Sequence, residues 1–217
     1  MVKRRNFKNF IDKTVICALI TFSVLLLPSF IQADNLELRL KPYTTEYTRK
    51  KLHTQPWFLN SFLDLKDDLE EATTQGKRFA IIWELAGCSY CRETHLVNFA
   101  RSDIGEFIQN NYEILQLDLR GSREVIDFDG TKLTERELAK RNNIRFTPTI
   151  QFFSDSLNNL ESENRSKSME VSRMPGYFRP QHFLMMFNYV LDKGYEYGDY
   201  RSYLKTKQIK TLNRVRK

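Results

Sequence analysis

The chain has 217 residues, with 34 Lys and Arg against 27 Asp and Glu, and 41% of it is hydrophobic. That length suits one domain or two small ones, and the composition excludes wholesale disorder. Eight Gly and six Pro exclude collagen-like and low-complexity chains, and three Cys cannot build a dense disulfide framework. The formal charge of +7 is concentrated at the two ends.

Residues 1–33 read as a secretory signal peptide. Lys3, Arg4, Arg5, Lys8 and Lys13 form a basic start, an uncharged apolar run follows from Val15 to Leu27, and Pro28 breaks it. Ile31-Gln32-Ala33 offers a cleavage site. The run is shorter than the roughly 20 residues a membrane span needs. The alternative is an uncleaved amino-terminal anchor facing the periplasm. Cys17 lies inside the run and leaves with it. Residues 201–217 carry seven bases and no acid, so the body, residues 34–200, is left slightly acidic at −4. A nucleic-acid-binding body would be basic on one face, so no nucleic-acid partner is expected. The basic tail reads as a solvated, frayed terminus, and membrane contact is expected only through it.

Residues 34–56 show no strong period and read as an extended arm. A helix is predicted from about Ser61 to Thr74, with Phe62, Leu65, Leu69 and Ala72 inward and Asp67, Asp68, Glu70 and Glu71 outward. Phe79 to Trp83 is a continuous apolar run, as in a strand buried on both faces. A helix follows Cys88 toward Ala100, and Asp103 is a candidate cap for a second helical segment. Tyr112 to Leu119 alternates as another strand. Val125 to Thr131 holds an Asp-Gly hairpin turn, and Thr134 with Glu137 forms a capping box opening a helix to about Asn142. Thr149 to Phe153 is a third strand, and Ser154 to Ser168 reads as a loop. Glu170 to Met174 is an edge strand, Pro175-Gly176 a turn, and Pro180 to Lys193 a last amphipathic helix. Strands alternating with helices imply an α/β fold with helices on both faces of a central sheet.

Cys88-Ser89-Tyr90-Cys91 follows a buried strand and opens a helix, and no other Cys remains after signal removal. A structural staple over so short a loop stabilises by only about 2 kcal/mol on the chain-entropy model. A zinc site needs four ligands, and the other soft candidates are His53, His95 and His182, with no second Cys pair. A redox dithiol needs nothing more than is present, so no metal or cofactor is expected beyond the Cys88–Cys91 pair itself. Cys88, at the helix amino terminus, is the candidate attacking sulfur, and Cys91 the resolving one. Lowering a thiol pKa from 8.5 by two units raises its thiolate about 25-fold but cuts nucleophilicity about 8-fold. The net gain as attacker is only about three-fold, so the shift mainly makes Cys88 a better leaving group. Glu84, four residues before Cys88, is a candidate proton relay for Cys91, set against a plain carboxylate at an exposed strand end. His95 reads as a helix-surface or boundary residue, with proton transfer as the alternative.

The strand–Cys-x-x-Cys–helix, the Thr147-Pro148 ahead of a strand and the terminal strand–Pro-Gly–helix resemble the thioredoxin fold. The resemblance spans about residues 57–200, between the arm (34–56) and the tail (201–217). It implies a mixed central sheet flanked by helices. It also implies a cis Pro148 beside the disulfide, with Thr147 offering backbone to an extended substrate and Gly176 bordering the site. Four runs, Ser61–Leu65, Gly87–Cys91, Asp127–Gly130 and Arg173–Tyr177, resemble the SoxW-type thioredoxins, periplasmic proteins associated with bacterial sulfur oxidation. That likeness implies a periplasmic thiol–disulfide oxidoreductase, foremost a reductase, fed by an upstream reductant protein and acting on protein thiols and disulfides. An isomerase or oxidase of the same fold, or a non-catalytic binding module with a structural disulfide, is the alternative. Two departures from ordinary thioredoxins stand out. The central dipeptide is Ser-Tyr, and Ile82 occupies the position of the buried acid, with Glu84 closer to the cysteines.

The short apolar run ahead of Ala33 generates the first prediction: protein exported by a bacterial host begins near Asp34 and is recovered in soluble periplasm. Intact-mass measurement checks this, and retention of residues 1–33 in the membrane fraction would establish the anchor instead.

Overall fold

The computed structural model describes residues 51–155 and 169–215, with side chains described as far as Lys207. The signal segment with Cys17, residues 34–50 of the predicted arm and residues 156–168 of the loop predicted over Ser154–Ser168 lie outside the described residues. A four-stranded sheet with two layers of helices organises them. Its strands are β1 (Arg78–Glu84), β2 (Tyr112–Asp118), β5 (Thr149–Phe153) and β6 (Glu170–Pro175), in the spatial order β2-β1-β5-β6. β1 and β2 run parallel, whereas β5 is antiparallel to both β1 and β6. Every residue of β1 and of β5 is buried. Their apolar runs therefore have no alternating wet face, which is how such strands read in sequence.

Helices cover both faces. Helix α1 (Leu65–Thr74) and α4 (Glu135–Arg141) pack Leu65, Leu69, Ala72 and Leu138 against Phe79, Ile81 and Trp83 of β1. On the other face, α3 (Ser102–Asn111) and α5 (Pro180–Leu191) pack Ile104, Ile108, Phe183 and Phe187 against Ala80, Ile82 and Ile114. The period-two alternation of β1 feeds both cores. A small antiparallel hairpin, β3 (Glu124–Ile126) and β4 (Lys132–Thr134), turns through Asp127–Thr131, where Gly130 takes φ 80°. The capping box forms as its sequence requires, with Glu137 accepting from the Thr134 backbone N–H at 2.8 Å.

Five local readings are corrected. Helix α1 starts at Leu65 because Asp64 caps it, accepting from the N–H groups of Lys66 and Asp67. Phe62 therefore lies ahead of the helix and is fully exposed, and its fit to the apolar period was coincidental. Asp68, counted on the wet face, is buried and accepts from Ser61 Oγ–H at 2.6 Å. Asp103 does not cap α3; it sits in the first turn and pairs with Arg101. The tail is not frayed over its described length but forms α6 (Tyr200–Val215), tied back to α5 through Asp192, which accepts from Tyr203 and Lys207.

Burial raises the Asp68 carboxyl from its ordinary 3.8 to about 6, and the Ser61 hydrogen bond only partly opposes the shift. The folded protein thus binds this proton more tightly than the unfolded chain does. The stabilisation it provides is present at low pH and is lost as pH rises through about 6. Asp68→Asn keeps an acceptor toward Ser61 and should raise stability at pH 7 by about 1–2 kcal/mol. Urea denaturation at pH 4, 5.5 and 7 checks this: wild type should lose stability across the series relative to the variant.

Candidate active site

The parallel pair β1–β2 delivers the cysteines to one end of the sheet. Leu85, Ala86 and Gly87 leave β1, and Gly87 takes φ 79°, a turn that L side chains rarely adopt. Cys88 then caps the short helix α2 (Ser89–Glu93) and is joined to Cys91 as a disulfide, with Cα atoms 5.3 Å apart. The Cys91 backbone N–H donates to Cys88 Sγ at 3.1 Å. Cys88 is partly exposed and Cys91 is buried. The outer sulfur can be reached by another molecule, and the inner one is shielded by the helix.

Thr147 and Pro148 reach the disulfide from the loop before β5. Their peptide bond is cis. Thr147 Oγ1–H donates to Cys88 Sγ at 3.4 Å, and the Thr147 carbonyl oxygen lies 3.4 Å from the same sulfur. Gly176 donates its N–H to the Pro148 carbonyl at 2.7 Å, joining the loop after β6 to the loop before β5. Its φ of 80° explains the glycine. Beside the disulfide, Tyr90, Phe146, Thr147, Pro175, Gly176 and Tyr177 line a groove of about 510 Å³. Tyr90 and Tyr177 stack with ring centroids 6.2 Å apart, and Tyr90 and Phe146 are 61% and 64% exposed. Such aromatic surface left open to water is suited to a partner's side chains. The sequence reading named Thr147 and Gly176 but missed the three aromatic walls. Their signal was adjacency to the site residues: Phe146 precedes Thr147, and Tyr177 follows Gly176.

Behind the disulfide the exposed-carboxylate reading of Glu84 is overturned, as is the surface reading of His95. Both side chains are 0% exposed. After Glu93 the cysteine helix widens into a π-helical turn, Thr94–Phe99, in which the Ala100 N–H reaches back to the His95 carbonyl. The segment turns His95, Asn98 and Phe99 inward. His95 Nε2 lies 3.0 Å from both Glu84 carboxylate oxygens, and Gln55 Nε2–H donates to His95 Nδ1 at 3.0 Å. Gln116 on β2 donates to Glu84 and to the His53 carbonyl. His53 is also buried, and its ring lies 5.8 Å from that of His95. Burial first, and then neighbouring His95, hold the His53 imidazole below its ordinary pKa. Gln55 and Gln116 were not read as site residues, and His53 and His95 only as soft metal-ligand candidates, His95 also as the lesser candidate for proton transfer. One signal was available in the sequence: His95 follows Cys91 by four residues in the helix predicted to run toward Ala100.

Among the described residues, no group of three or more His, Cys, Asp or Glu side chains is arranged to hold a metal ion. None of the helices searched there is long and apolar enough to cross a membrane.

Residues 65–191, more than half of the chain, match the family described as a thioredoxin-like domain. The chain belongs to the thioredoxin-like family. Comparison with curated proteins finds no match. Among solved structures, a thioredoxin-fold protein from Helicobacter pylori is similar at 20% identity and TM-score 0.46, covering 66% of this chain and 96% of that one. A thioredoxin from Thermus thermophilus is similar at 18% identity and TM-score 0.46, covering 60% and 86%. The oxidised carboxy-terminal domain of DsbD from Neisseria meningitidis is similar at 13% identity and TM-score 0.37, covering 57% and 90%. The α/β architecture expected from the sequence, a mixed sheet with helices on both faces, is that of this thioredoxin-like domain.

The buried Glu84–His95 pair generates a stability prediction. His95→Leu leaves the Glu84 carboxylate buried without its main donor and should destabilise by about 3–5 kcal/mol. The double variant Glu84→Leu/His95→Leu removes both polar groups and should recover most of that loss. Urea denaturation of the single and double variants measures the difference.

Proposed function

We propose that this chain is a thiol–disulfide oxidoreductase working outside the cytoplasm, foremost as a reductase of protein disulfides. The observation that carries this reading is the placement of Cys88: partly exposed, at a helix amino terminus, with the Cys91 N–H aimed at its sulfur and Thr147 against it. A reduced Cys88 in that position is stabilised as thiolate by a hydrogen bond and the helix dipole. It attacks a sulfur of the partner's disulfide, displaces the other partner sulfur and forms a mixed disulfide. Cys91 then attacks Cys88 Sγ, the partner leaves as a dithiol, and Cys88–Cys91 is oxidised. An upstream dithiol protein reverses the last step. Thr147, Pro148 and Gly176 hold the substrate backbone beside Cys88, the aromatic groove takes its side chains, and Glu84 is the candidate proton relay. The resonance of four short runs with SoxW-type thioredoxins supports a partner in sulfur oxidation. The redox pair is itself the working group, and no further cofactor enters the scheme.

The two sulfurs should differ in kind. Cys88→Ser should abolish exchange and trap no partner. Cys91→Ser should still attack but cannot release, so partners accumulate covalently on Cys88. Non-reducing electrophoresis of periplasmic extract with mass spectrometry reads both outcomes and names the substrate. Equal trapping by the two variants would overturn the roles. Absence of dithiol-dependent insulin reduction by wild type would favour a binding module with a structural disulfide.

A further inference from the structure

The groove beside Cys88 is lined by Tyr90, Phe146, Thr147, Pro175, Gly176 and Tyr177, none of which carries a charge. The charges stand just outside it and are of one sign. Within two residues along the chain of any lining residue there are four charged side chains, Arg92, Arg145, Arg173 and Arg179, and no Asp or Glu. Residues 34–200 as a whole stand at −4, so the rest of that body stands at −8 once these four are set apart. The mouth of the site is thus basic on an acidic body.

The four arginines are not equivalent. Arg173 is half-buried and neutralised by Glu170 at 2.6 Å, and it also donates to the Asn142 carbonyl. Arg92, Arg145 and Arg179 are exposed. Arg92 has only Glu93 at 3.8 Å, a long pair between two solvated side chains that neutralises little. Arg145 Nε–H donates to Asn143 Oδ1 at 2.9 Å, an uncharged acceptor that ties the side chain to its own loop and leaves its charge intact. Arg179 is the N-cap of α5, where the helix dipole is also positive. A cation there is unfavourable in the free protein and becomes favourable when a carboxylate arrives.

We propose that the substrate segment presented to Cys88 is acidic: a partner protein whose disulfide cysteine is flanked by Asp or Glu, drawn in by Arg92, Arg145 and Arg179. This rests on the oxidoreductase reading above and names its substrate class. Two residues of chain span at most about 7 Å, less than the screening length of about 8 Å at physiological salt, so these charges act on groups held at the groove. Exposed charges add little affinity, but they raise the encounter rate with partners of opposite sign and turn away partners of like sign. The aromatic groove takes the apolar side chain beside the cysteine, and the arginines select its flanks.

The test uses the exported protein in reduced form and two synthetic peptides, each as its symmetric disulfide dimer. Both carry Phe beside Cys; Asp flanks the pair in one and Lys in the other. Rates of reduction are divided by those with dithiothreitol, which removes the peptides' own difference in reactivity. The acidic dimer should be reduced at least about ten-fold faster near 10 mM salt, where the screening length is about 30 Å. At 1 M salt, where that length is about 3 Å, the two rates should agree within about two-fold. Arg145→Glu/Arg179→Glu should reverse the low-salt preference, and Arg145→Gln/Arg179→Gln should cut it at least about three-fold. Equal rates, a preference for the basic dimer, or a preference that neither salt nor the variants change would overturn the proposal. So would binding to phosphatidylglycerol vesicles that needs Arg145 and Arg179 while the peptide rates do not, because the patch would then serve a lipid surface. Oxidised protein titrated with labelled peptides carrying Ser in place of Cys reads the same preference by fluorescence anisotropy, without turnover. If neither dimer is reduced, the oxidoreductase reading fails and that binding preference, at least about three-fold for the acidic peptide or absent, decides this proposal alone.

Discussion

A carboxylate shut away from water must receive its hydrogen bonds from the protein, and Glu84 sets that demand at the end of the central strand. Three elements answer it. The cysteine helix supplies His95, the neighbouring parallel strand supplies Gln116, and the entry segment supplies Gln55 behind His95. The β1–β2 register places Ile82 beside Gln116 and Glu84 beside Asp118, and the Leu119 N–H returns to the Glu84 carbonyl. The same strand end that carries the acid also launches the loop to Cys88. Fixing the one fixes the other.

This coupling gives the irregular helix a reason. A regular α-helix continued past Glu93 would distribute its side chains at 100° steps. The π-helical turn widens the segment by a residue, and His95, Asn98 and Phe99 all face inward. Asn98 donates to the Phe178 carbonyl, just after the Gly176–Tyr177 edge of the groove. One helical segment thus holds the disulfide at its start, the buried pair in its middle and the loop after β6 at its end. The front of the site is aromatic and open, whereas the side chains behind the disulfide, Glu84 and His95, are polar and buried.

Much of this was legible in the residues. The unbroken apolar runs of β1 and β5, the Asp-Gly hairpin and the Thr134–Glu137 box each carry a local physical signal, and the elements formed there. The Cys-x-x-Cys position was legible too, because that motif is contiguous, whereas Thr147-Pro148 entered only through the resemblance. Burial of polar groups was not. Glu84 looks like a strand's wet end until the entry segment is seen to cover it, and nothing in residues 51–60 announces that cover. Gln116 follows the same logic: a glutamine at an inward strand position looks like a lapse in alternation until Glu84, diagonally across the β1–β2 register, is seen to accept from it. Asp68 was misplaced because acidic residues in a helix's first turns usually face water, and here Ser61 folds back to meet it. Phe62 matched the period by chance, since capping by Asp64 set the start of the helix independently of the pattern.

The far end of the chain extends the point beyond the site. The thioredoxin-like match stops at residue 191, but Tyr189 is packed among the rings of Tyr195, Tyr200 and Tyr203 and donates its hydroxyl to the Gly198 carbonyl. Gly194 lies so close under Tyr189 that a Cβ there would meet the ring at 2.5 Å. A fragment trimmed to the family's limits would uncover an aromatic face at one end and unroof the histidine cluster at the other. The unit of folding in this protein is wider than the unit of kinship.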